Sequence, residues 1–290
     1  MRKLFYLFFV FYLGLHANAQ NSRFFFEYKF AQDSLVLDSV YTELMYLDIN
    51  ERGSKFYSRD TFVTDSIVQS KIRSQRGQMS MNINGGHFKG RIRDVVEKTY
   101  PQFTIDFFSY IGFDRYHTSE QQDKIQWKIF PDTENAGGCN AQKAETRLFG
   151  RIWTAWFCKE YPIQDGPYKF HGLPGLIVKI YDADQSHIFE LKGIKNLKDE
   201  EKWISELEQK SSKKLIKVSR DKFRKAFVED RNDPMKAWRS SPGGMVSYQV
   251  TDASGKPVNM KDIKQSKEDR LKKENNILEL DLIKGKAVPQ

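Results

Sequence analysis

Phe24, Phe26, Tyr28 and Phe30 alternate with Arg23, Glu27 and Lys29. A period of two predicts a first strand with one apolar face. A second strand is expected over 41–49, where Leu44, Tyr46 and Leu47 stand among polar neighbours. A turn over 50–53 and a short strand over 55–58 follow. From Asp60 to Arg76 the spacing changes. Phe62, Ile67, Val68 and Ile72 recur at helical intervals, and Gly77 is a stop. Residues 82–90 are rich in Gly and Asn and read as a loop. Strands are expected over 92–100 and 103–110. Ile125, Trp127 and Ile129 alternate with Lys124, Gln126 and Lys128 and predict another, with 131–138 as a turn region. Residues 144–149 and 151–157 predict a hairpin. Leu176, Val178 and Ile180 share a face of the next strand, 182–186 form a turn, and Phe189 and Leu191 mark the returning strand.

After Asn196 the character changes. Trp203 and Leu207, four apart, predict a helix over 198–210. A short strand is expected over 215–218. Ser219 is placed to cap a helix carrying Phe223 and Phe227. Residues 239–244 read as a loop. Residues 262–275 are charged, with little apolar stripe, and read as an exposed helix or a linker. A last strand is expected near 277–282. About ten strands joined by short turns, without regular strand–helix alternation, predict a mainly β, β-rich α+β fold. The expected architecture is a curled antiparallel sheet or partial barrel packed against a few helices.

Composition refines this picture. Arg2 and Lys3, the apolar run from Leu4 to Leu15 and Ala17-Asn18-Ala19 predict a signal peptide over 1–19, with Gln20 first in the mature chain. The chain is then exported, to the periplasm or the outer membrane, with no transmembrane segment after cleavage. The divisions expected are a β-rich core over 20–196 and a Lys-rich, helix-containing extension over 197–290 that completes it. The whole chain carries 47 basic and 38 acidic residues. Most of the excess lies after residue 190. In an exported protein this argues against nucleic acid; an anionic lipid or acidic partner remains open beside a merely solvated surface. Cys139 and Cys158 are an even pair, which an oxidising compartment favours as a disulfide. Two buried free thiols are the alternative.

The stretch 150–182 is dense in turns: Asp165-Gly166-Pro167 and Gly172-Leu173-Pro174-Gly175. With Leu176-Ile177 the latter spells GLPGLI. Trp127-Lys128-Ile129, Cys139, Lys143-Ala144, Gly150-Arg151, Ala155-Trp156-Phe157, Pro162-Ile163 and Gly166-Pro167 stand in the order of a known pattern. The sequence resembles the GLPGLI family of exported Bacteroidetes proteins, a Porphyromonas gingivalis-type family of unknown function. The likeness is specific over about 120–195. Ile277-Leu278-Glu279-Leu280 is similar to the family's C-terminal signature, with Asn276 where Pro is common. The resemblance implies a cell-envelope location and brings no catalytic residue.

The residues themselves give a short set of candidates. Gly172 and Gly175 could form a backbone nest for an anion or simply a sharp turn into a buried strand. Arg151 could pair with Asp165, with Asp182 or with a ligand carboxylate. Trp153 and Trp156 point to opposite faces of one strand, so one is core and the other could line a groove. His171 is the candidate acid–base group if the chain is an enzyme. His87, His117, His171 and His187 show no zinc-ligand spacing, and no nucleophile elbow or phosphate loop is present. Neither a metal nor a cofactor is expected. The leading reading is a non-catalytic binding protein for a hydrophobic ligand (a lipid or apolar peptide) or an outer-membrane partner. Its cavity would be lined by Trp153, Trp156, Leu176 and Val178. An envelope hydrolase and a structural assembly partner are the alternatives.

Overall fold

The computed structural model describes residues 21–74, 90–121, 124–209, 214–240 and 258–284. The expected signal peptide, the Gly77 stop, His87, most of the 82–90 loop and the end of the 239–244 loop lie outside them.

Twelve strands form one mixed, open sheet among the described residues. Its spatial order is β12-β6-β5-β4-β3-β2-β1-β11-β10-β9-β8-β7. The elements run β1 (Ser22–Ala31), β2 (Val40–Asn50), β3 (Gly53–Ser58), α1 (Arg59–Ser74), β4 (Val95–Thr99), β5 (Thr104–Ile111), β6 (Asp114–Gln121), β7 (Lys128–Ala136), β8 (Cys139–Leu148), β9 (Arg151–Cys158), β10 (Leu176–Asp182) and β11 (His187–Asn196). β12 (Leu215–Lys217), α2 (Arg220–Asn232), α3 (Lys236–Arg239), α4 (Met260–Lys273) and α5 (Asp281–Lys284) follow. All pairings are antiparallel except β12 with β6.

Phe24, Phe26 and Tyr28 of β1 stand opposite Leu47, Met45 and Glu43 of β2, so their side chains share one face. Phe56 lies three strands away from Phe189 in the sheet order, about 14 Å in a flat sheet. Their ring centroids are 5.9 Å apart. The sheet therefore curls strongly, and this apolar face is its inside. α2 closes against it with Phe223 buried edge-on to Phe107 (5.6 Å between centroids). Ser219 caps that helix, its hydroxyl accepting from the Lys222 N–H.

One strand was not expected, and four expectations are corrected. β6, DRYHTSEQ, is a strand although it has almost no aliphatic residues. Its Arg115 and His117 are buried against carboxylates, a tertiary arrangement that no periodicity shows. Residues 125–127 precede the strand expected there, and β7 runs through most of the expected 131–138 turn. It is the edge of the sheet, where Pro131 costs no ladder bond. The expected 198–210 helix is only a 3-10 turn (Asp199–Glu201) and a strap across the sheet's outer face. Lys55 holds this strap by donating to the Ile204 carbonyl and Glu206. The strand expected near 277–282 is irregular chain entering α5, because Arg151 takes the Ile277 and Leu278 carbonyls that a ladder would need.

Cys139 and Cys158 are joined, with their Cα atoms 6.2 Å apart. The bond is diagonal across the β8–β9 hairpin, since the register Gln142↔Phe157 sets Ala141 opposite Cys158. It closes a loop of sequence separation 19 in the unfolded chain. Replacing both cysteines by Ala is expected to lower stability by about 3 kcal/mol. Urea denaturation of the oxidised protein and the double variant measures the difference.

Candidate functional site

Arg151 opens β9 right after the tight Phe149-Gly150 turn, where both residues have positive φ. Of its two expected acidic partners it meets Asp182: Nη1 donates at 2.7 Å. Nη2 donates to the Asn276 side-chain oxygen (2.7 Å) and the Ile277 carbonyl (2.6 Å), and Nε to the Leu278 carbonyl (3.2 Å). Asp165 instead belongs to Lys98, and both are fully buried. Lys98 Nζ also donates to the carbonyls of Gly166 (2.7 Å) and Tyr168 (2.9 Å), and the Tyr100 hydroxyl donates to Asp165.

The other sequence candidates sit close by. Trp153 is fully buried on the inner face, and its indole N–H donates to the Leu148 carbonyl at 3.0 Å. Trp156, on the opposite face, is also buried. His171 stacks on Phe103 at 4.5 Å, and burial pushes its pKa down. Gly172 has φ +91° and Gly175 φ +154°; a Cβ on Gly175 would collide with the Cys158 carbonyl. The 172–175 turn thus sits tight against the end of β9. Leu176 and Val178 are core. The cavities described below are lined by other residues.

A cavity with an aromatic and aliphatic floor lies inside the curl, with a volume of about 500 Å³. Tyr28, Phe30, Met45, Phe56 and Phe189 pave it. Tyr28 stacks on Phe189 with 4.0 Å between centroids. The strands dictate this floor: β1, β2, β3 and β11 are neighbours, and their inward positions are aromatic or aliphatic. Phe227 of α2, Leu271 of α4, Ile277 and Leu278 form the opposite wall. Arg231 ties that wall together by donating to the carbonyls of Leu271 (3.1 Å) and Glu274 (2.8 Å). Arg91, Arg93, Lys267 and Arg270 stand at the rim with Asp230 and Glu274.

His187, Tyr168, Ser109 and Asp94 bring polar groups to this apolar space. His187 meets the Tyr28 hydroxyl through Nδ1 (2.6 Å), while Nε2 faces Arg151 and the Asn276 carbonyl, each at 3.0 Å. Burial, reinforced by the Arg151 charge, pushes its pKa down to about 3, so it is neutral near pH 7. Tyr168 donates to Glu279 at 2.5 Å. Burial alone would raise Glu279, but Lys169 and Arg220 outweigh it and hold its carboxyl down at about 2. Asp94 accepts from the Ser109 hydroxyl at 2.6 Å. Part of its surface faces the cavity, yet the surrounding protein withdraws enough water to lift its carboxyl to about 6. β3–β4 pairing ends at Phe56↔Val96, so Asp94 stands where the two strands part. It also lines a second cavity, about 500 Å³, under the outer strap.

Nothing in the sequence marked Asp94, and Tyr28, Phe30 and Phe189 were legible only as strand faces, because these groups come together only when strands distant in the chain become neighbours. Among the described residues no group of His, Cys, Asp and Glu could hold a metal. No described helix is long and apolar enough to cross a membrane.

Residues 108–179 match the family described as "Protein of unknown function (Porph_ging)". The match runs from β5 into β10 and contains the hairpin, the disulfide and the 172–177 turn. The resemblance seen in the sequence is borne out over that span. No curated protein matches the chain. Among solved structures, it is similar to "Structure of PNGF-II in C2 space group" and "Structure of PNGF-II in P21 space group". Each is 14% identical, covering 73% of this chain and 34% of that one, with a TM-score of 0.49. The chain thus spans about a third of the length of these structures.

The titrations predict the acid limb of stability. A folded pKa of about 3 for His187 lies below its ordinary 6.5, so the unfolded chain binds the proton first and stability falls as pH drops from 6.5 towards 3. Glu279 adds a further loss from 4.5 towards 2. Asp94, raised above 3.8, works the other way between about 6 and 3.8. Each fully shifted unit is worth on the order of 1.4 kcal/mol. Urea midpoints across pH 3–7 are expected to fall on acidification, and less steeply in His187→Asn.

Proposed function

We propose that the chain is an exported, non-catalytic binding protein whose inner cavity holds a hydrophobic small molecule such as a lipid. The observation that carries this reading is the cavity of about 500 Å³ inside the curl, lined by the buried side chains of Tyr28, Phe30, Met45, Phe56 and Phe189. Binding sites for small molecules are mostly apolar concavities of about 300–1,000 Å³ with a few placed polar groups. Asp94, Ser109, Tyr168 and His187 are such groups here. Arg91, Arg93, Lys267 and Arg270 at the rim suit a ligand with an anionic end.

Leu278→Trp fills the cavity from its half-buried wall without entering the paved floor. Native mass spectrometry of the protein purified without detergent is expected to show a retained small molecule. Titration with a fluorescent long-chain fatty acid is expected to give saturable binding, weakened at least about tenfold in Leu278→Trp, or about 1.4 kcal/mol. Equal binding by a folded Leu278→Trp protein rejects the cavity as the site.

One observation favours an envelope hydrolase as the second reading. A carboxyl lifted to about 6, hydrogen-bonded to Ser109 and open to two cavities, has the pKa a general acid or base needs near neutral pH. Under this reading, Asp94→Asn abolishes turnover in a panel of ester and glycoside substrates while leaving the fold, read by circular dichroism, intact. No turnover by the unaltered protein sinks it.

A further inference from the structure

We infer that the rim of this cavity is a docking surface for an anionic lipid bilayer. The β1–β2 connection carries three consecutive aliphatic residues, Leu35, Val36 and Leu37, and Leu35 is 88% exposed. Val36 and Val40 are each more than half exposed. The loop's own bonds hold these side chains outward. Ser34 N–H donates to the Asn275 side chain (2.8 Å), which donates in turn to Asp33 (2.9 Å). Asp33 also accepts from the Leu35 N–H at 3.0 Å, and its carbonyl from the Val36 N–H at 3.1 Å. These bonds brace the start of the loop, and Asp33 is tied to Asn275. Single exposed aliphatics need no explanation, but a run of three at the tip of a braced loop does.

The second observation is charge. α4 leaves beside this loop, reaching Asn275 just past its C-terminus. Its sequence, MKDIKQSKEDRLKK, holds six cations against three acids, and none of its residues is buried. An apolar tip beside a cationic helix is the pair of weak signals that reversible bilayer attachment requires. The third observation is continuity. A cavity of about 660 Å³ between tip and helix is lined by Val36, Tyr41 and Lys273. It shares Gln32, Arg91, Arg270 and Glu274 with the inner cavity. Docked this way, the mouth of the inner cavity faces the lipid. The inference extends the ligand reading, which gives the mouth a reason to face a bilayer, but it is measured separately.

The test is co-sedimentation of the full chain with vesicles of phosphatidylcholine alone and of phosphatidylcholine mixed with phosphatidylglycerol. The expected result is attachment to the mixed vesicles at least about tenfold stronger than to the neutral ones, weakening as salt is added. Leu35→Asp, and separately Lys264→Glu with Lys272→Glu, change only exposed side chains and are each expected to lose at least about tenfold. Leu278→Trp is expected to attach as the unaltered protein does, which separates docking from cavity binding. Equal attachment to both vesicle types, none to either, or an undiminished Leu35→Asp protein overturns the inference. A protein that retains a small molecule yet ignores vesicles leaves the cavity reading standing and removes this one. Attachment only to an acidic protein surface, with none to vesicles, also overturns it.

Discussion

A guanidinium withdrawn from water needs acceptors for its N–H groups, and Arg151 finds them on two segments far apart in the chain. Asp182 comes from the β10–β11 turn, and Asn276, Ile277 and Leu278 from near the C-terminus. Asn276 completes the tie by donating to the Ala31 carbonyl at the end of β1. Removing one partner of such a buried cluster typically costs about 3–5 kcal/mol, because it strands the other charge. The wall formed by residues 276–278 therefore stays over the inner face of the sheet, and the cavity exists because that wall stands off from the floor.

Two more buried charge clusters do the same work for other connections. Lys98 and Asp165 draw the 165–170 turn onto β4. Glu279, gripped by Lys169, Tyr168 and Arg220, joins that turn to α2 and the C-terminal segment. The sheet supplies apolar area, which is non-directional and would accept these segments in several positions. The ion pairs choose among those positions. They explain why a conspicuous turn block carries so few free functional groups: Arg151, Asp165, Lys169 and Asp182 are occupied in holding the fold.

The same organisation leaves a cavity beside this buried floor. Strands that bury aromatic residues on a curled face converge at the middle of the curl and diverge towards its mouth. Packing is complete around Trp153 and Phe157. It is incomplete over Tyr28 and Phe189, where α4 and the 276–278 segment bridge the opening without entering it. Asp94 sits where β3 and β4 part, and its raised pKa follows from that position between two cavities.

Strand periodicity needs only neighbouring residues, so β1, β2, β10 and β11 were legible in the chain, as were the hairpin, the Ser219-capped helix and the antiparallel class. Arg151 was legible as a pairing residue for a similar reason: a lone cation behind a Gly turn must find an acid. What local pattern could not supply was any feature decided by partners far along the chain. β6 is a strand whose buried Arg115 and His117 are met by carboxylates, Glu206 from far along the chain and Asp106 from the neighbouring strand. The 198–210 segment is a strap because Lys55 and Arg115 capture Glu206. The 277–282 segment is not a strand because Arg151 claims its carbonyls. The sequence by itself determined which residues seek burial and with what period. Only the tertiary structure decided which buried charges meet, and hence where a cavity remains, because ion pairing and curvature depend on distances that no local pattern encodes.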